Sequence, residues 1–229
     1  MATQHFWHLG YPNSTAKLAA WVDDDMDVEQ VWCPENALHQ RAGKRLTDLS
    51  VTLPRRPVDD FVWTWYSECL IQARVLTLFR DHGFTGFDVK PVRARFKKPC
   101  RHELPVLWEL AVTGWGGMAP PESGVRVVDH CRVCKCTVYS ACATLADAFD
   151  PIQWDGSDFF FVWPLPTFIW VTERVAQTIR DHRLKGAVLK RPEEFVIRRR
   201  ETDKVSPGRL HYRLPEARAR ELCETSGID

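Results

Sequence analysis

The cysteines of this chain include one spacing that suits metal binding. Cys131, Cys134 and Cys136 form a C-x-x-C-x-C segment, and a gap of two residues lets a tight turn direct two thiolates at one tetrahedral ion. A structural zinc site needs four ligands. Candidates to complete the set are Cys136, the adjacent His130 and the distant Cys33. The sequence thus indicates a zinc site built from Cys33, Cys131, Cys134 and Cys136, and a closed set of four ligands leaves no position for catalysis.

Cys33 lies in a Trp-Cys-Pro-Glu-Asn segment that looks like a knuckle whose second cysteine has become Asn36. Since only the segment at Cys131 keeps an intact pair, two interpretations stay open. Either a zinc ion pins the N-terminal segment to the centre of the chain, or small buried residues have replaced the ion and the thiols act as apolar side chains. The other cysteines have no such spacing and are predicted to be packing or surface residues: Cys69, Cys100, Cys142 and Cys223.

The composition favours one domain, or two tightly fused halves, around a substantial core, since 45% of the 229 residues are apolar. The 31 Lys and Arg residues against 30 Asp and Glu give a formal net charge of +1, which removes the whole-chain electrostatic argument for a nucleic-acid or membrane-surface partner. The N-terminus lacks the pattern of a secretion signal. The most apolar stretch, residues 159–171, is shorter than a membrane span and is interrupted by Pro164 and Pro166. We therefore expect a cytoplasmic protein whose cysteines are free thiols or metal ligands.

An internal repeat organises the chain around these cysteines. Residues 61–90 align with residues 161–190 at an offset of one hundred, and ten of the 30 aligned positions are identical. Chance gives about one match in twenty, so we interpret the repeat as a duplication. Apolar residues recur at helical spacing in both windows and predict an amphipathic helix in each, followed by a glycine turn and a short strand. These apolar positions are Ile71, Val75, Leu78 and Phe79 in the first window and Val171, Val175 and Ile179 in the second.

The sequence therefore predicts an α+β fold. Two related helix-strand units, about residues 61–90 and 161–190, pack with antiparallel strands, and a cysteine-knuckle insertion lies between them. Residues 1–229 form a single domain with this internal duplication, and residues 196–229 are a C-terminal extension. Further strands are predicted at residues 45–53, 106–113 and 124–128, and a terminal helix at residues 210–223 after Pro215.

The order of these parts resembles that of the double-CxxCG-motif proteins of myxobacteria, some of which are immunity proteins against toxins exchanged between kin cells. The likeness covers roughly residues 15–195. It consists of a first knuckle at residues 33–37, a Leu-Ser strand region at residues 48–50, a second knuckle at residues 131–135, and a closing helix with a Leu-Lys-Gly-Ala turn at residues 172–187.

The resemblance implies a non-catalytic immunity protein that binds and neutralises a cognate protein toxin by occlusion. The chain departs from the motif at Asn36, Ala37 and Lys135, where the family pattern has a cysteine and two glycines. These departures bear on the metal site more than on the fold, because the fold signals lie in the helix-strand units.

The sequence contains none of the common catalytic fingerprints, namely the dinucleotide and phosphate-binding glycine loops, the His-Glu-x-x-His pair and the Gly-x-Ser-x-Gly elbow. The repeated Arg-Asp-His at residues 80–82 and 180–182 is typical of a polar helix end, where cations interact well with the helix dipole. We therefore expect no enzyme. The alternative function is a peptide- or nucleic-acid-binding accessory protein with a zinc-knuckle-like element, although the charge balance makes a nucleic-acid partner unlikely. Its basic stretch comprises Lys185, Lys190, Arg191, Arg198, Arg199 and Arg200.

Overall fold

The computed structural model of the chain describes residues 5–12, 18–54, 57–98, 103–142, 144–195 and 203–228. Strands make up 36% of it. In chain order they are β1 Phe6–Gly10, β2 Ala20–Trp21, β3 Val28–Val31, β4 Arg41–Arg45, β5 Leu49–Leu53, β6 Phe61–Trp63, β7 Cys69–Gln72, β8 Phe87–Phe96, β9 Leu107–Val112, β10 Gly114–Met118, β11 Val127–His130, β12 Thr137–Ser140, β13 Phe159–Trp163, β14 Ile169–Thr172, β15 Val188–Lys190 and β16 Lys204–Val205. The α-helices are α1 Ala73–Asp81, α2 Glu173–Asp181 and α3 Glu216–Ser226.

The strands form two large sheets and two small ones. A curled six-stranded sheet, which resembles half a barrel, has the order β2-β5-β8-β9-β7-β6, and a five-stranded sheet has the order β10-β13-β14-β1-β15. The β5–β8 and β10–β13 pairs are parallel, whereas the other pairs are antiparallel. The three-stranded sheet β11-β12-β16 and the β3–β4 hairpin complete the described part of the chain.

Both faces of the interior strand β13 are covered, which explains its uninterrupted apolar sequence. Phe159, Phe161 and Trp163 face one side and pack into two neighbouring apolar clusters, while Phe160 and Val162 face the other side and pack into a third. All five side chains are buried. Alternate residues of a strand point to opposite faces, so only a strand covered on both sides selects apolar residues at every position.

The turn after each of the first two helices packs against the opposite large sheet. Lys185 donates its amide to the buried carboxylate of Asp60 at 2.8 Å, and its carbonyl accepts the amide of Phe61 at 2.9 Å. The following residue, Gly186, has φ +86°, and a Cβ there would overlap the carbonyl oxygen of Phe61. The turn after α1 makes the same pair of contacts. The amide of Thr85 donates to the carboxylate of Asp158 at 3.2 Å, and the carbonyl of Thr85 accepts the amide of Phe159 at 3.0 Å. These reciprocal contacts bring the two large sheets together.

The predicted α+β fold of two helix-strand units is wrong. Helices form at α1 and α2, within the windows that showed helical spacing, but each is only nine residues long and strands dominate the architecture. The two windows also contribute to different sheets, since β6, β7 and β8 belong to the six-stranded sheet and β13, β14 and β15 to the five-stranded one. The physical reason is that short apolar runs outside the helices bury as strands, a choice that periodicity over four or five residues does not reveal.

The other predicted elements meet mixed outcomes. The strand predicted at residues 106–113 is observed as β9, and the strand predicted at residues 45–53 is observed as β5 with the last residue of β4 before it. The strand predicted at residues 124–128 starts later, at β11. In the predicted C-terminal extension, residues 196–202 lie outside the described residues, while α3 packs Ala219 and Leu222 against the core.

A membrane-spanning helix was not expected from the sequence. Within the ranges given above, none of the helices combines enough length with enough apolar character to cross a bilayer. The longest, α3, has 11 residues and carries several charged side chains.

Candidate metal centre

Four side chains converge at one point between the β3–β4 hairpin and the turn that joins β11 to β12. One ligand atom from each of Cys33, His39, Cys131 and Cys134 lies within 4.8 Å of the others. The sulfur atoms of Cys33 and Cys131 are 3.8 Å apart, and the sulfur of Cys134 is 3.8 Å from Nδ1 of His39. With Zn–S near 2.3 Å and Zn–N near 2.0 Å, a tetrahedral zinc site has ligand separations of about 3.5 to 3.8 Å. The geometry is therefore compatible with zinc.

A disulfide does not explain this arrangement. Sulfur atoms joined by a disulfide bond are about 2.05 Å apart, much closer than the 3.8 Å between Cys33 and Cys131. The described cysteines are free thiols. Three thiols and an imidazole around one point form one of the usual donor sets of a structural zinc site.

The loop that carries the first two ligands is held together by Asn36. Its side-chain oxygen accepts the amide of Leu38 at 2.9 Å and so caps the short 3-10 turn Ala37–His39. Its side-chain nitrogen lies 3.1 Å from Nε2 of His39. Because Asn36 contacts the far ring nitrogen, Nδ1 of His39 is left facing Cys134. The amide nitrogen of Asn36 can only donate, so this contact places the ring proton of His39 on Nδ1. Metal binding at Nδ1 would move that proton to Nε2, where the Asp129 carboxylate, 3.8 Å away, can accept it.

The turn that carries the other two ligands has the geometry of a metal knuckle. The amide of Lys135 donates to the carbonyl of Cys131 at 2.8 Å, and the amide of Cys131 donates to the carbonyl of Cys136 at 2.9 Å. Lys135 has φ +57°, in the left-handed region that favours glycine. The backbone at Lys135 thus has a conformation that favours glycine, although the side chain is lysine.

Arg41 prepares one of the thiols for metal binding. Its guanidinium donates to the sulfur of Cys134 at 3.5 Å, to the carbonyl of Cys134 at 3.0 Å and to the carbonyl of His39 at 2.9 Å. Burial opposes ionisation of the Cys134 thiol, but hydrogen bonds from Arg41 and from the amide of Cys136 outweigh it and lower its pKa to about 6. Burial raises the pKa of Cys33. Cys134 is therefore largely a thiolate near neutral pH, which is the form that binds zinc.

The structure brings together three of the four predicted ligands and supplies a different fourth. Cys33, Cys131 and Cys134 belong to the set within 4.8 Å, whereas Cys136 does not. Cys136 is buried beside Cys33 and Cys131, but its sulfur lies 3.9 Å from the hydroxyl of Ser206. The other candidate, His130, contacts the hydroxyl of Thr137 at 2.9 Å and stands outside the set.

Sequence reasoning missed His39. The signal was the segment Cys-Pro-Glu-Asn-Ala-Leu-His, in which a histidine follows Cys33 by six positions after the second knuckle cysteine is lost. Histidine is an ordinary zinc ligand at variable spacing from cysteine. The position of His39 relative to Cys134, 95 residues away, follows from the fold alone.

The remaining cysteines lie away from the centre. Cys69 is buried in the core, where desolvation raises its pKa, and the Cys142 thiol donates to the carbonyl of Thr144 at 2.6 Å. Cys223 is partly buried against the core. Cys100 lies outside the described residues.

The basic stretch that motivated the alternative function is described only in part. The Arg191 guanidinium lies 4.9 Å from the centre of the Trp7 ring, and the Lys190 ammonium lies 5.6 Å from the centre of the Phe195 ring. The neighbouring run of Arg198, Arg199 and Arg200 lies outside the described residues. Nucleic-acid binding stays an untested prediction.

A comparison of the chain with models of known protein families and with curated proteins finds no match. The resemblance to the double-CxxCG-motif proteins stays a prediction.

Proposed function

We propose that this chain is a non-catalytic binding protein in which zinc, held by Cys33, His39, Cys131 and Cys134, orders a surface that contacts a protein partner. The observation that carries the proposal is the convergence of these four donors within 4.8 Å. Four protein ligands complete the tetrahedral coordination that zinc prefers and leave no position for water or substrate. A metal bound in this way has a structural role, because it joins the β3–β4 hairpin to the β11–β12 turn.

The surface around the ligands supports a role in binding. Trp32, Leu38 and Val133, which we call the apolar patch, directly precede Cys33, His39 and Cys134 in the chain. Their exposed fractions are 69%, 91% and 48%. Each of the three adjoins a ligand of the same centre in the chain; exposed large apolar side chains occur at contact sites, and tryptophan is enriched among the residues that dominate binding energy. Because each patch residue adjoins a ligand of the same centre, metal binding fixes their relative positions.

For the partner we propose a cognate protein toxin, which the chain neutralises by covering the toxin surface. The identification of this partner as a toxin rests on the resemblance to the double-CxxCG-motif proteins in the order of the sequence elements. Two observations support the wider class of protein-binding protein: the closed ligand set, which suits structure and not catalysis, and the apolar patch beside it.

Metal content tests the first half of the proposal. The full chain, purified without chelators, is expected to contain about one zinc per molecule by elemental analysis. Replacing both Cys131 and Cys134 with Ser removes two ligands and is expected to abolish zinc binding. His39→Gln is expected to reduce it strongly, whereas the matched control His130→Gln, which changes a histidine beside the knuckle but outside the ligand set, retains it. Full zinc content in the double serine variant would refute the assignment.

Partner binding tests the second half. The probe is the protein encoded by the neighbouring gene, assayed by affinity measurement and by protection of cells that express it. Trp32→Ala is expected to weaken binding about 30-fold or more, the effect of removing a dominant contact residue. Trp65→Ala removes another exposed tryptophan from outside the patch and is expected to change affinity little. Equal losses in the two variants, or no protection by the wild-type chain, would contradict a toxin-binding role.

A further inference from the structure

A polar cleft opens beside the metal centre. It lies between the six-stranded sheet and two stretches of chain, residues 166–169 and residues 206–213. Its volume is about 460 Å³. Pockets that hold small molecules generally measure 300 to 1,000 Å³, so the cleft is large enough for a small ligand or for a side chain of a partner.

The two carboxylates in the cleft already have partners. Glu109 on β9 forms a direct ion pair with Arg45 on β4. Glu68 accepts a hydrogen bond from the hydroxyl of Thr64 and another from the indole nitrogen of Trp21 at 3.2 Å. Burial raises the pKa of Glu68. Neither carboxylate is therefore free to neutralise the remaining cations by direct contact.

Two cations in the cleft lack such partners. Among the described residues, the side chains of Arg213 and Lys90 form no hydrogen bond or ion pair, although both line the cleft. Arg213 is exposed to solvent and lines the cleft. An exposed guanidinium without a direct partner gains a charge-assisted hydrogen bond when an anion enters.

We propose that this cleft binds a carboxylate, with Arg213 as its main contact and Lys90 as the second cation. The planar guanidinium matches the two oxygens of a carboxylate and donates to both at once. A ligand with one negative charge suits two free cations that stand near Glu68 and Glu109, because a doubly charged phosphate meets stronger repulsion from those carboxylates.

The aromatic wall of the cleft indicates the rest of the ligand. The rings of Trp21 and Tyr66 lie against each other with centroids 4.1 Å apart, and both residues line the cleft. Tyr66 is largely exposed. A carboxylate with an apolar or aromatic body can therefore contact both the cations and this wall. Such a group occurs in free aromatic acids and in acidic side chains next to aromatic residues of a partner protein.

This inference does not rest on the proposed function. Arg213 and Lys90 are not metal ligands, and neither belongs to the apolar patch. Loss of zinc binding in ligand variants and loss of carboxylate binding in cleft variants are measured separately, so either proposal can fail alone.

The test titrates sodium benzoate into the full metal-loaded chain at constant ionic strength and follows the heat by calorimetry. We expect saturable binding at one site. Arg213→Gln is expected to weaken it about 10- to 100-fold, the usual effect of losing a hydrogen-bonded charge pair. Arg220→Gln is the matched control, because it removes an exposed cation from α3 that pairs only with Glu216 at the surface. Its affinity is expected to equal that of the wild type.

Further ligands define the chemistry and its source. Benzamide, which has the same body without the charge, is expected not to bind, and inorganic phosphate is expected to bind more weakly than benzoate. A short peptide with glutamate between two phenylalanines, compared with its glutamine counterpart, tests a partner side chain as the source. Binding of benzoate alone assigns the site to a free acid, and tighter binding of the glutamate peptide assigns it to a partner protein.

Three results would overturn the proposal: no saturable binding of either benzoate or the glutamate peptide, equal affinities in Arg213→Gln and Arg220→Gln, or phosphate binding as tight as that of benzoate. If Arg213→Gln does not fold, Lys90→Gln replaces it, since Lys90 is exposed on β8. That variant is also expected to weaken benzoate binding, by about 10-fold. Unchanged affinity in Lys90→Gln would then count against the proposal.

Discussion

Burial of His8 makes the stability of the protein depend on pH. His8 lies on β1, opposite Trp170 on one neighbouring strand and Lys190 on the other. Its ring packs against Phe168 and Phe195, with centroids 5.6 Å and 4.5 Å away. Nδ1 is buried and finds no hydrogen-bond partner among the described residues. Burial, with a smaller contribution from the charge of Lys190, lowers the pKa of His8 from 6.5 to about 4.

The size and sign of the effect follow from this pKa. Between pH 6.5 and about pH 4 the unfolded chain binds a proton at His8 that the folded chain does not bind. The folded state is therefore fully favoured above pH 6.5, loses stability as the pH falls, and has lost the whole contribution below about pH 4. At about 1.4 kcal/mol per pH unit, the full window corresponds to roughly 3 kcal/mol, and about 2 kcal/mol of it is lost by pH 5.

The assay is urea denaturation of the wild type and His8→Leu at about pH 7.5 and about pH 5. Leucine has a similar size and does not titrate, so the fall in unfolding free energy between the two pH values is expected to be about 2 kcal/mol smaller in the variant. All other titrating groups are shared, and the difference isolates His8. His182→Leu removes an exposed imidazole and is expected to follow the wild type. A difference below about 0.5 kcal/mol between wild type and His8→Leu would refute the reasoning.

Two further predictions concern the contacts that join the large sheets, and both are measured by urea denaturation. Gly124→Ala is expected to lower the unfolding free energy by about 1 to 2 kcal/mol because of its positive φ alone. Gly186→Ala is expected to lower the unfolding free energy further, because the added Cβ also meets the Phe61 carbonyl. The space around Gly124 is open, so Gly124→Ala is the control for the effect of φ alone. Equal losses in the two variants would exclude the clash with Phe61. Asp158→Ala, which leaves the buried donors around it unpaired, is expected to lower the unfolding free energy by about 1 to 3 kcal/mol. Arg174→Ala removes the exposed partner of Asp158 together with contacts to the His82 carbonyl and the Phe84 ring, and it is expected to lower the unfolding free energy by less than about 1 kcal/mol. A larger loss in Arg174→Ala than in Asp158→Ala would contradict this reasoning.

Periodicity predicted the helices better than the sheets. Val175 and Ile179 lie about one turn apart on one face of α2, and a nine-residue helix needs only such local spacing to be visible in the sequence. Strands β2 and β16 have two residues each, too few for alternation to show. The order of strands in the six-stranded sheet joins β5 to β8, which requires pairing across the whole of α1. No local pattern encodes such pairings, and this is why the fold class was predicted wrongly.

The cysteine spacing predicted three ligands and misplaced the fourth for a specific reason. Cys136 was favoured because it is close to Cys134 in the sequence. Cys136 is buried beside Cys33 and Cys131, but its sulfur lies 3.9 Å from the Ser206 hydroxyl and does not belong to the set of four ligand atoms. His39 reaches the other ligands because the loop between β3 and β4 packs against the turn at Cys131, a contact between segments 95 residues apart. A single sequence shows only that a histidine follows Cys33.

The metal centre and the cleft are mechanically joined through β4. Arg41 at the start of this strand binds the carbonyl and sulfur of Cys134, and Arg45 at its end pairs with Glu109 in the cleft. Within its sheet the strand pairs with β3 alone, an arrangement that is marginally stable by itself, and it also contacts the turn at Leu210–Tyr212. Its position therefore depends on that turn and on the contacts at its two ends. If zinc binds as proposed, its release is expected to loosen this hairpin and the wall of the cleft that Arg45 supports. Because coupling between two binding sites is reciprocal, a ligand that orders the cleft wall is then expected to raise the affinity for zinc by the same factor.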